Sequence, residues 1–247
     1  MSERDYFSAK INDLISRFEN GEELVFSSFL TAEEAITADR LCSKYHMPHI
    51  FCGGYAECER KILAISFLEE SQIEEQCPIV LIKIESTDLS LLSNRDVLGA
   101  LMGSGIRREL LGDIIIRNGV AVFFALEQIA EFLIQNVSLM GKVKVRLSIV
   151  EDRFPIPPAA FEHQRMTVAS LRLDAVVSGV AHISREQASE LIENKMVQIN
   201  HIPSEKKTKE IRAGDCLVIR GFGKWMIDEC GELSRKGRIV LRCRKYI

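Results

Sequence analysis

The dipeptide Asn118-Gly119 lies between two runs rich in β-branched and aromatic residues, and it constrains the fold of its segment more than any other feature. A two-residue type I′ turn needs positive φ at both central positions, which Asn and Gly tolerate, so a β-hairpin is predicted here. Further elements are predicted around it, with strands at 79–84 and 142–149 and helices at 96–102 and 125–136. The order β-α-β-β-α-β predicts a ferredoxin-like domain over residues 76–152.

RNA-recognition domains share this topology, so the central domain is predicted to be RRM-like. Phe123 and Phe124 fall on the third strand, where base-stacking aromatic residues would lie, but the Lys/Arg-Gly-Phe motif is missing. Neighbouring strand residues face opposite ways, so at most one ring can stack on a base while the other enters the core. Arg107 and Arg108, beside Gly103-Ser104-Gly105, are candidates for a secondary RNA contact, because small residues let the backbone approach an anion. A solvated loop is the alternative interpretation.

Residues 1–75 are predicted to form an N-terminal α/β domain. A helix over 32–45 follows from the spacing of its apolar residues, and Thr31 with Glu34 predicts a capping box at its start. A short strand then ends in Gly53-Gly54. Such a pair either cradles an anion or makes a tight turn, and the tight turn is the commoner outcome.

The composition is that of an ordinary globular protein. The chain has 247 residues, 47% of them apolar, which is enough for two or three compact domains. Its first residues lack the basic and apolar regions of a secretory leader, and the most apolar stretch, 119–126, is too short to span a bilayer. The seven cysteines show no Cys-x-x-Cys spacing. We therefore expect a soluble, cytoplasmic protein of a reducing compartment, with no metal site, no cofactor and no membrane contact.

Charge divides the chain into two parts of opposite sign. Residues 165–247 carry a net charge of +6 and residues 1–164 carry −9, which gives the −3 of the whole chain. A basic module is attracted to a polyanion by electrostatic steering and gains affinity from counterion release. The alternative interpretation is that these positive charges form a solvated face that only aids solubility. Residues 153–167 contain Pro155-Ile156-Pro157-Pro158 and are predicted to be an extended linker to a basic domain at 168–247.

The basic domain is predicted to begin with a hairpin of two short helices. Ser170 is expected to cap the first helix, and Ser184 the second, in a capping box with Gln187. Arg172 and Arg185 fall in the first turns of the two helices, beside unpaired backbone N–H groups and the positive end of the helix dipole. This arrangement suits a phosphate group.

A lysine-rich loop at 204–209 follows the hairpin and extends the positive charge. A groove between a helix end and this loop would hold an RNA backbone by its shape, with little reading of sequence. The predicted RNA-binding residues are polar and basic side chains, namely Arg172, Ser184, Arg185, Lys195, Asn200, Lys206, Lys207, Lys209, Arg220 and Lys224. No catalytic residue is predicted. Asp174 is interpreted as a conformational anchor of the hairpin, and Trp225 as a packing residue.

Residues 168–227 resemble the RNA-binding domain of the small-subunit ribosomal protein S-four type, also called the αL motif. The resemblance rests on four motifs in register: Arg172-Leu173-Asp174, Ser184-Arg185-x-x-Ala188-x-x-Leu191-Ile192, Val197-x-Ile199-Asn200 and Gly214-Asp215. The chain departs from that family at 195–198, Lys-Met-Val-Gln, where a glycine followed by a basic strand is usual. Contacts on that strand are therefore weakened, and Arg172, Arg185 and the lysines of 206–209 are expected to dominate.

Over nearly its full length the chain resembles the YlmH family of bacterial proteins. The residues outside the basic domain that carry this resemblance are Phe26-Ser-Ser-Phe-Leu30, Gly53-Gly-Tyr-Ala-Glu-Cys-Glu-Arg60 and the stretch 94–113. The resemblance implies association with the large ribosomal subunit, particularly one obstructed by peptidyl-tRNA, and a part in ribosome-associated quality control of stalled nascent chains. It also implies a connection to cell division.

Three functions are compatible with these sequence features. The leading one is a non-enzymatic, monomeric RNA-binding protein whose partners are large-subunit rRNA and peptidyl-tRNA, with no DNA expected. The second is an RNA-modifying enzyme, such as a pseudouridine synthase, that uses the basic domain as an anchor. Such synthases usually place this domain first, and no nucleotide-binding motif is present. The third is a division or scaffold protein for which RNA binding is secondary.

Overall fold

A computed structural model describes residues 3–150, 154–234 and 237–247. The chain is mixed α/β and divides into two compact units, 1–157 and 158–247, which we call the first and second units. The helices of the first unit are α1 (Glu3–Glu19), α2 (Ala32–Lys44), α3 (Glu70–Glu75), α4 (Asn94–Gly103) and α5 (Ala130–Asn136). Its strands are β1 (Leu24–Phe26), β2 (His49–Cys52), β3 (Ile62–Ser66), β4 (Ile79–Glu85), β5 (Leu111–Arg117), β6 (Val120–Leu126), β7 (Leu139–Met140), β8 (Val143–Lys144) and β9 (Arg146–Ile149).

The N-terminal part of the first unit is a three-stranded antiparallel sheet in the order β1-β3-β2. Helices α1 and α2 cover it, because their apolar residues, such as Ile11 and Cys42, recur at helical spacing and pack on Leu63 of the central strand. The predicted capping box of α2 is confirmed: the Thr31 hydroxyl accepts the Glu34 N–H, and the Thr31 N–H donates to the Glu34 carboxylate.

The central part is a four-stranded antiparallel sheet in the order β5-β6-β4-β9. The predicted β-α-β-β-α-β order is present, and Asn118 and Gly119 form the hairpin with φ values of +52° and +74°. The last predicted strand, 142–149, is instead divided into β8, which pairs with β7, and β9, which joins the sheet. The predicted helix at 125–136 starts only at Ala130, because β6 continues to Leu126 and a 3-10 turn follows it.

Both faces of the central sheet are covered, which corrects two expectations. Phe123 packs with helices α4 and α5 in one core. Phe124 faces the other way and packs with Phe29, Ile62 and Ile73 of the N-terminal part. A shared core of this kind makes residues 1–75 and 76–152 parts of one unit rather than the two separate domains that the sequence suggested.

The second unit combines two helices with a six-stranded sheet. The helices are α6 (Leu173–Ala181) and α7 (Arg185–Glu193). The strands are β10 (Phe161–Val168), β11 (Val197–Ile199), β12 (Ile202–Pro203), β13 (Cys216–Ile219), β14 (Gly223–Leu233) and β15 (Ile239–Tyr246). The sheet is antiparallel in the order β10-β15-β14-β13-β11-β12, and α6 and α7 pack on it through Val176 and Ile192.

Strand β10 corrects the expected linker at 153–167. Residues 161–168 pair along their whole length with β15, so they are an edge strand of the second unit. Arg153, at the start of the expected linker, lies outside the described residues. Trp225 is 1% exposed and its indole N–H donates to Gln164 Oε1 on β10 at 3.1 Å, which confirms its predicted packing role.

Candidate nucleic-acid interface

Asp174 links the two helices of the second unit. Its carboxylate accepts from the Arg172 guanidinium at 3.2 and 3.3 Å, and from Arg185 at 2.6 Å. The side chain of Asp174 is 6% exposed, whereas those of Arg172 and Arg185 are 43% and 53% exposed. One buried carboxylate therefore orients two arginines whose remaining N–H groups face solvent, which supports the interpretation of Asp174 as an anchor.

The charge state of Asp174 follows from the same contacts. Burial alone would raise the pKa of its carboxyl, but the hydrogen bonds and charges of Arg172 and Arg185 outweigh burial and lower the pKa. The carboxyl is thus ionised at neutral pH and keeps both guanidinium groups in place.

The start of α6 differs from the prediction. Arg172, with extended backbone angles, is the N-cap residue and makes no side-chain cap, so Ser170 does not cap the helix. Backbone carbonyls of the lysine-rich loop act instead: the N–H of Leu173 donates to Lys209 O at 2.8 Å, and that of Asp174 donates to Lys207 O at 3.2 Å. Because these carbonyls already occupy the helix start, α6 cannot offer these N–H groups to a phosphate. The same bonds hold the loop beside Arg172.

The start of α7 agrees with the prediction. Ser184 and Gln187 form a reciprocal capping box, with both hydrogen bonds at 3.1 Å. Arg185 is the first residue of the helix, so its guanidinium lies near the positive end of the dipole of α7.

Two of the predicted lysines are paired with carboxylates. Lys195 lies 2.8 Å from Glu205, and Lys207 lies 3.4 Å from Glu193. The hydrogen bond with Glu205 and its negative charge raise the pKa of Lys195. All four side chains are largely exposed, so these pairs weaken the local positive field without removing it. The sequence reasoning did not predict Glu193 or Glu205 as partners, although both carboxylates lie within two residues of a lysine in the sequence.

Asn200 and Lys224 lie apart from this cluster. Asn200 and His201 both have positive φ and turn β11 into β12. The Asn200 amide bridges Asp215 and the Cys216 N–H, each at 2.8 Å, so its main role is to fix the turn. Lys224 on β14 places its ammonium 4.3 Å from the centre of the Tyr246 ring, a cation–π contact away from the hairpin.

Arg172, Arg185 and the exposed residues Lys206, Lys207 and Lys209 therefore form one group, which we call the hairpin cluster. It is held by the Asp174 carboxylate and by the backbone bonds between α6 and the loop. Ser184 contributes through the cap of α7. Arg220 is exposed at the end of β13, where its N–H donates to Met196 O at 2.9 Å.

The secondary candidates of the first unit have structural roles. Arg108 donates to the carbonyls of Leu111 and Gly112 at 2.6 and 3.1 Å, and burial, together with nearby Arg60, lowers its pKa to about 10. Arg108 is thus committed to the backbone rather than presented to an anion. Arg107 is exposed but pairs with Glu109 at 2.9 Å.

Packing excludes base stacking by Phe123 or Phe124, and it agrees with the favoured interpretation of Gly53-Gly54 as a tight turn rather than an anion cradle. Phe123 and Phe124 are 0% and 3% exposed, so neither ring can receive a base. Tyr55 stacks on Phe124 with ring centres 5.4 Å apart. A Cβ at Gly54 would lie 2.5 Å from Phe124 and one at Gly53 would lie 1.9 Å from the Cys58 sulfur, so this pair serves close packing.

The sequence reasoning also missed a polar network, and it gave no role to the ring within the run Arg220-Gly221-Phe222-Gly223. Asp113 accepts from the Tyr55 hydroxyl and from the backbone N–H groups of Glu59 and Arg60 at 2.7–3.0 Å, which fastens the segment after β2 to β5. Phe222, between two glycines at the end of β13, is 40% exposed. A large apolar residue in a glycine turn is the sequence signal that would have found it.

The described residues contain no cluster of three or more His, Cys, Asp or Glu side chains able to hold a metal ion. Within the same ranges, none of the helices has the length and apolar character needed to cross a membrane.

Three comparisons agree on the kinship of the chain. A family profile described as "Putative RNA-binding domain in YlmH" matches residues 74–153. The chain is 31% identical over 218 residues to "Ribosome-associated protein quality control protein P2" of Bacillus subtilis (strain 168), a match that covers 86% of this chain and 83% of the relative. A solved structure, "Cell division protein ylmH from Streptococcus pneumoniae", superposes with a TM-score of 0.52 at 18% identity, over 61% of this chain and 93% of that one. This last likeness concerns the fold alone.

The chain has a mixed α/β fold, a segment that matches a putative RNA-binding domain, and an exposed basic cluster. These features place it in the class of RNA-binding proteins. Within that class, the chain belongs to the YlmH family.

Proposed function

We propose that this chain is an RNA-binding protein of the large ribosomal subunit that acts in ribosome-associated quality control of stalled nascent chains. The observation that carries the proposal is the hairpin cluster, in which Asp174 fixes Arg172 and Arg185 beside the lysine-rich loop. Its ligands are large-subunit rRNA and peptidyl-tRNA. Kinship with a protein named for ribosome-associated quality control supports the choice of target.

The domain assignments follow the same reasoning. We assign residues 168–247 to the S-four type, on the strength of the helical hairpin with arginines at both starts and the following β11-β12 turn. The ferredoxin-like, RRM-like assignment of residues 76–152 rests on the order of their elements.

The chain acts in this proposal by binding and not by catalysis, as a cytoplasmic monomer without a cofactor. A basic surface that holds phosphates by shape needs no acid, base or nucleophile. A connection with cell division enters only through the printed name of the pneumococcal structure.

The test is sedimentation of the full chain with large ribosomal subunits at near-physiological salt. Simultaneous replacement of Arg185, Lys206 and Lys207 by Glu reverses three charges of the hairpin cluster, and we expect it to abolish co-sedimentation, because phosphate contacts supply most of such affinity.

A matched control reverses three exposed cations of the first unit, Arg40, Lys142 and Lys144. This variant is expected to sediment with the subunits almost as the unaltered chain does. Unchanged sedimentation of the hairpin-cluster variant would contradict the proposal, and loss in the control alone would assign the contact to the first unit.

A further inference from the structure

Phe222 presents an aromatic ring to solvent from a rigid turn. Its N–H donates to Ile219 O at 3.0 Å, and Gly221, with φ of +87°, closes this four-residue turn. Gly223 also has positive φ, at +137°. The turn brings Phe222 to the surface, where the residue is 40% exposed.

The ring borders an open groove along one side of α7. The groove has a volume of about 230 Å³ and is lined by Ile183, Gln187, Glu190, Leu191, Asn194 and Phe222. Gln187, Glu190, Leu191 and the C-cap residue Asn194 recur at helical spacing, so they share one face of α7, and Ile183 lies just before the helix. A groove lined by six residues along one helix admits a ligand of the size of one planar base, whereas a partner helix is about 10 Å across.

The rim of the groove carries hydrogen-bonding groups of both kinds. Gln187 Oε1 already accepts the Ser184 N–H, so its amide NH2 group is the part left to donate. The Asn194 amide can donate and accept, and the Glu190 carboxylate accepts. Edges of unpaired bases offer both donors and acceptors, and single-stranded RNA is read by such contacts combined with stacking on aromatic rings.

The charges beside the groove complement a nucleic-acid backbone. Arg220 is the second residue of the turn that carries Phe222, and it is exposed. An apolar side chain of a protein partner fits less well, because it would desolvate Glu190 and two amides without satisfying them.

We propose that the groove between Phe222 and α7 binds one unpaired nucleobase of the RNA held by the hairpin cluster. The base stacks on the Phe222 ring, its edge meets Gln187, Glu190 and Asn194, and a neighbouring phosphate meets Arg220. This inference rests on the proposed function and adds a preference for RNA with an unpaired base.

The test uses the full chain and a dodecanucleotide RNA of mixed sequence with 2-aminopurine at its centre, either single-stranded or annealed to its complement. Phe222→Ala and Phe222→Leu are expected to weaken binding of the single strand about ten-fold and to remove the quenching of 2-aminopurine, because one stacked base is lost. Phe222→Tyr keeps a ring and is expected to bind within about two-fold of the unaltered chain. Binding of the duplex should not change.

Phe132→Ala is the matched control, since Phe132 is 43% exposed on α5 of the first unit. Thermal unfolding of every variant checks that the fold is intact. Equal affinity of Phe222→Ala and the unaltered chain for the single strand, equal losses on strand and duplex, or lack of single-strand binding by the unaltered chain would overturn the base-binding groove.

Co-sedimentation with large subunits separates this inference from the function on which it rests. If the unaltered chain co-sediments but shows no ring-dependent binding of the single strand, the groove proposal fails and the ribosomal one stands. If Phe222→Ala reduces co-sedimentation without affecting the oligonucleotide, the groove holds a protein and the base proposal is likewise overturned. Failure of the hairpin-cluster variant to lose co-sedimentation overturns the ribosomal proposal itself.

Discussion

The central sheet and the second unit use the same residue types in opposite ways. In the central sheet, Phe124 is 3% exposed and Arg108 donates to backbone carbonyls. In the second unit, Phe222 is 40% exposed and Arg185 keeps half of its side chain in solvent. Phe124 and Arg108 thus stabilise the first unit internally, whereas Phe222 and Arg185 of the second unit are available to a ligand.

This difference limits how the segment matched as a putative RNA-binding domain can contact RNA. The face of its sheet that carries Phe124 is covered by Phe29, Ile62 and neighbouring residues of the N-terminal part. Any RNA contact of residues 74–153 therefore uses a strand edge, a loop or a helix surface, and not the open sheet face through which RRM domains stack bases.

The largest expected effect comes from removing the buried ring of the first unit. Phe124→Ala is expected to lower the free energy of unfolding by about 4 kcal/mol, because it leaves a cavity in a closely packed core. RNA affinity of the folded protein should stay unchanged, in contrast to Phe222→Ala. Denaturant unfolding followed by far-UV circular dichroism, with RNA titration under native conditions, measures both. A folded Phe124→Ala protein with weakened RNA binding would contradict the contrast between the two sheets.

The second prediction concerns the close approach of the Gly53-Gly54 turn to the central sheet. Gly54→Ala is expected to destabilise the first unit by about 3 kcal/mol, since its Cβ would lie 2.5 Å from the Phe124 ring and its φ is +86°. The matched control is Gly99→Ala within α4, where no atom lies within 4 Å of the new Cβ. That change is expected to stabilise by about 0.5–1 kcal/mol through helix propensity. Similar unfolding midpoints for the two variants would show that Gly54 and the Phe124 ring are not closely packed.

The third prediction tests the anchor of the hairpin cluster. Asp174→Asn is expected to lower the free energy of unfolding of the second unit by about 2 kcal/mol at neutral pH, because the ion pairs with Arg172 and Arg185 are lost. Asp228→Asn, which removes the partly buried partner of Arg244, is the control and should cost about 1 kcal/mol, because a single ion pair is lost.

The pH dependence of that difference has a definite sign. The pKa of Asp174 is lower in the folded state than in the unfolded chain, so the stabilisation is complete above the unfolded value of about 3.9. It is lost as the pH falls through the folded value. We therefore expect the unaltered chain and Asp174→Asn to differ by a constant amount from about pH 8 to pH 5, to begin to converge below about pH 4, and to coincide only below the folded pKa of Asp174. A difference that persists at lower pH would show that the charge of Asp174 is not what stabilises the hairpin.

Local signals in the sequence predicted the elements well. The Asn118-Gly119 hairpin and the boxes at Thr31 and Ser184 depend on contacts within a few residues, so the pattern alone determines them. The pair of short helices with Arg172 and Arg185 at their starts was likewise predicted from local signals.

Contacts between residues that are distant in the chain could not be predicted from the sequence. Burial of Phe124 depends on Phe29, some ninety-five residues away, and the start of α6 is satisfied by carbonyls of Lys207 and Lys209 rather than by the nearby Ser170. Residues 161–168 looked like a linker because their partner strand lies at the opposite end of the second unit. Local propensity carries no information about such partners.

The smallest expected effect concerns the carboxylates that partly neutralise the hairpin cluster. Glu205→Gln releases Lys195 from its 2.8 Å ion pair, and we expect stability to be essentially unchanged because both side chains are well exposed. Affinity for single-stranded RNA should rise roughly three-fold at low salt, and the salt slope should steepen by about 0.7 as one more counterion is released. Glu131→Gln on α5 of the first unit removes the same charge and is the control. An equal rise in both variants would mean that overall charge governs the affinity; a rise in Glu205→Gln alone would mean that Lys195 contacts the RNA and that the hairpin cluster extends to the start of β11.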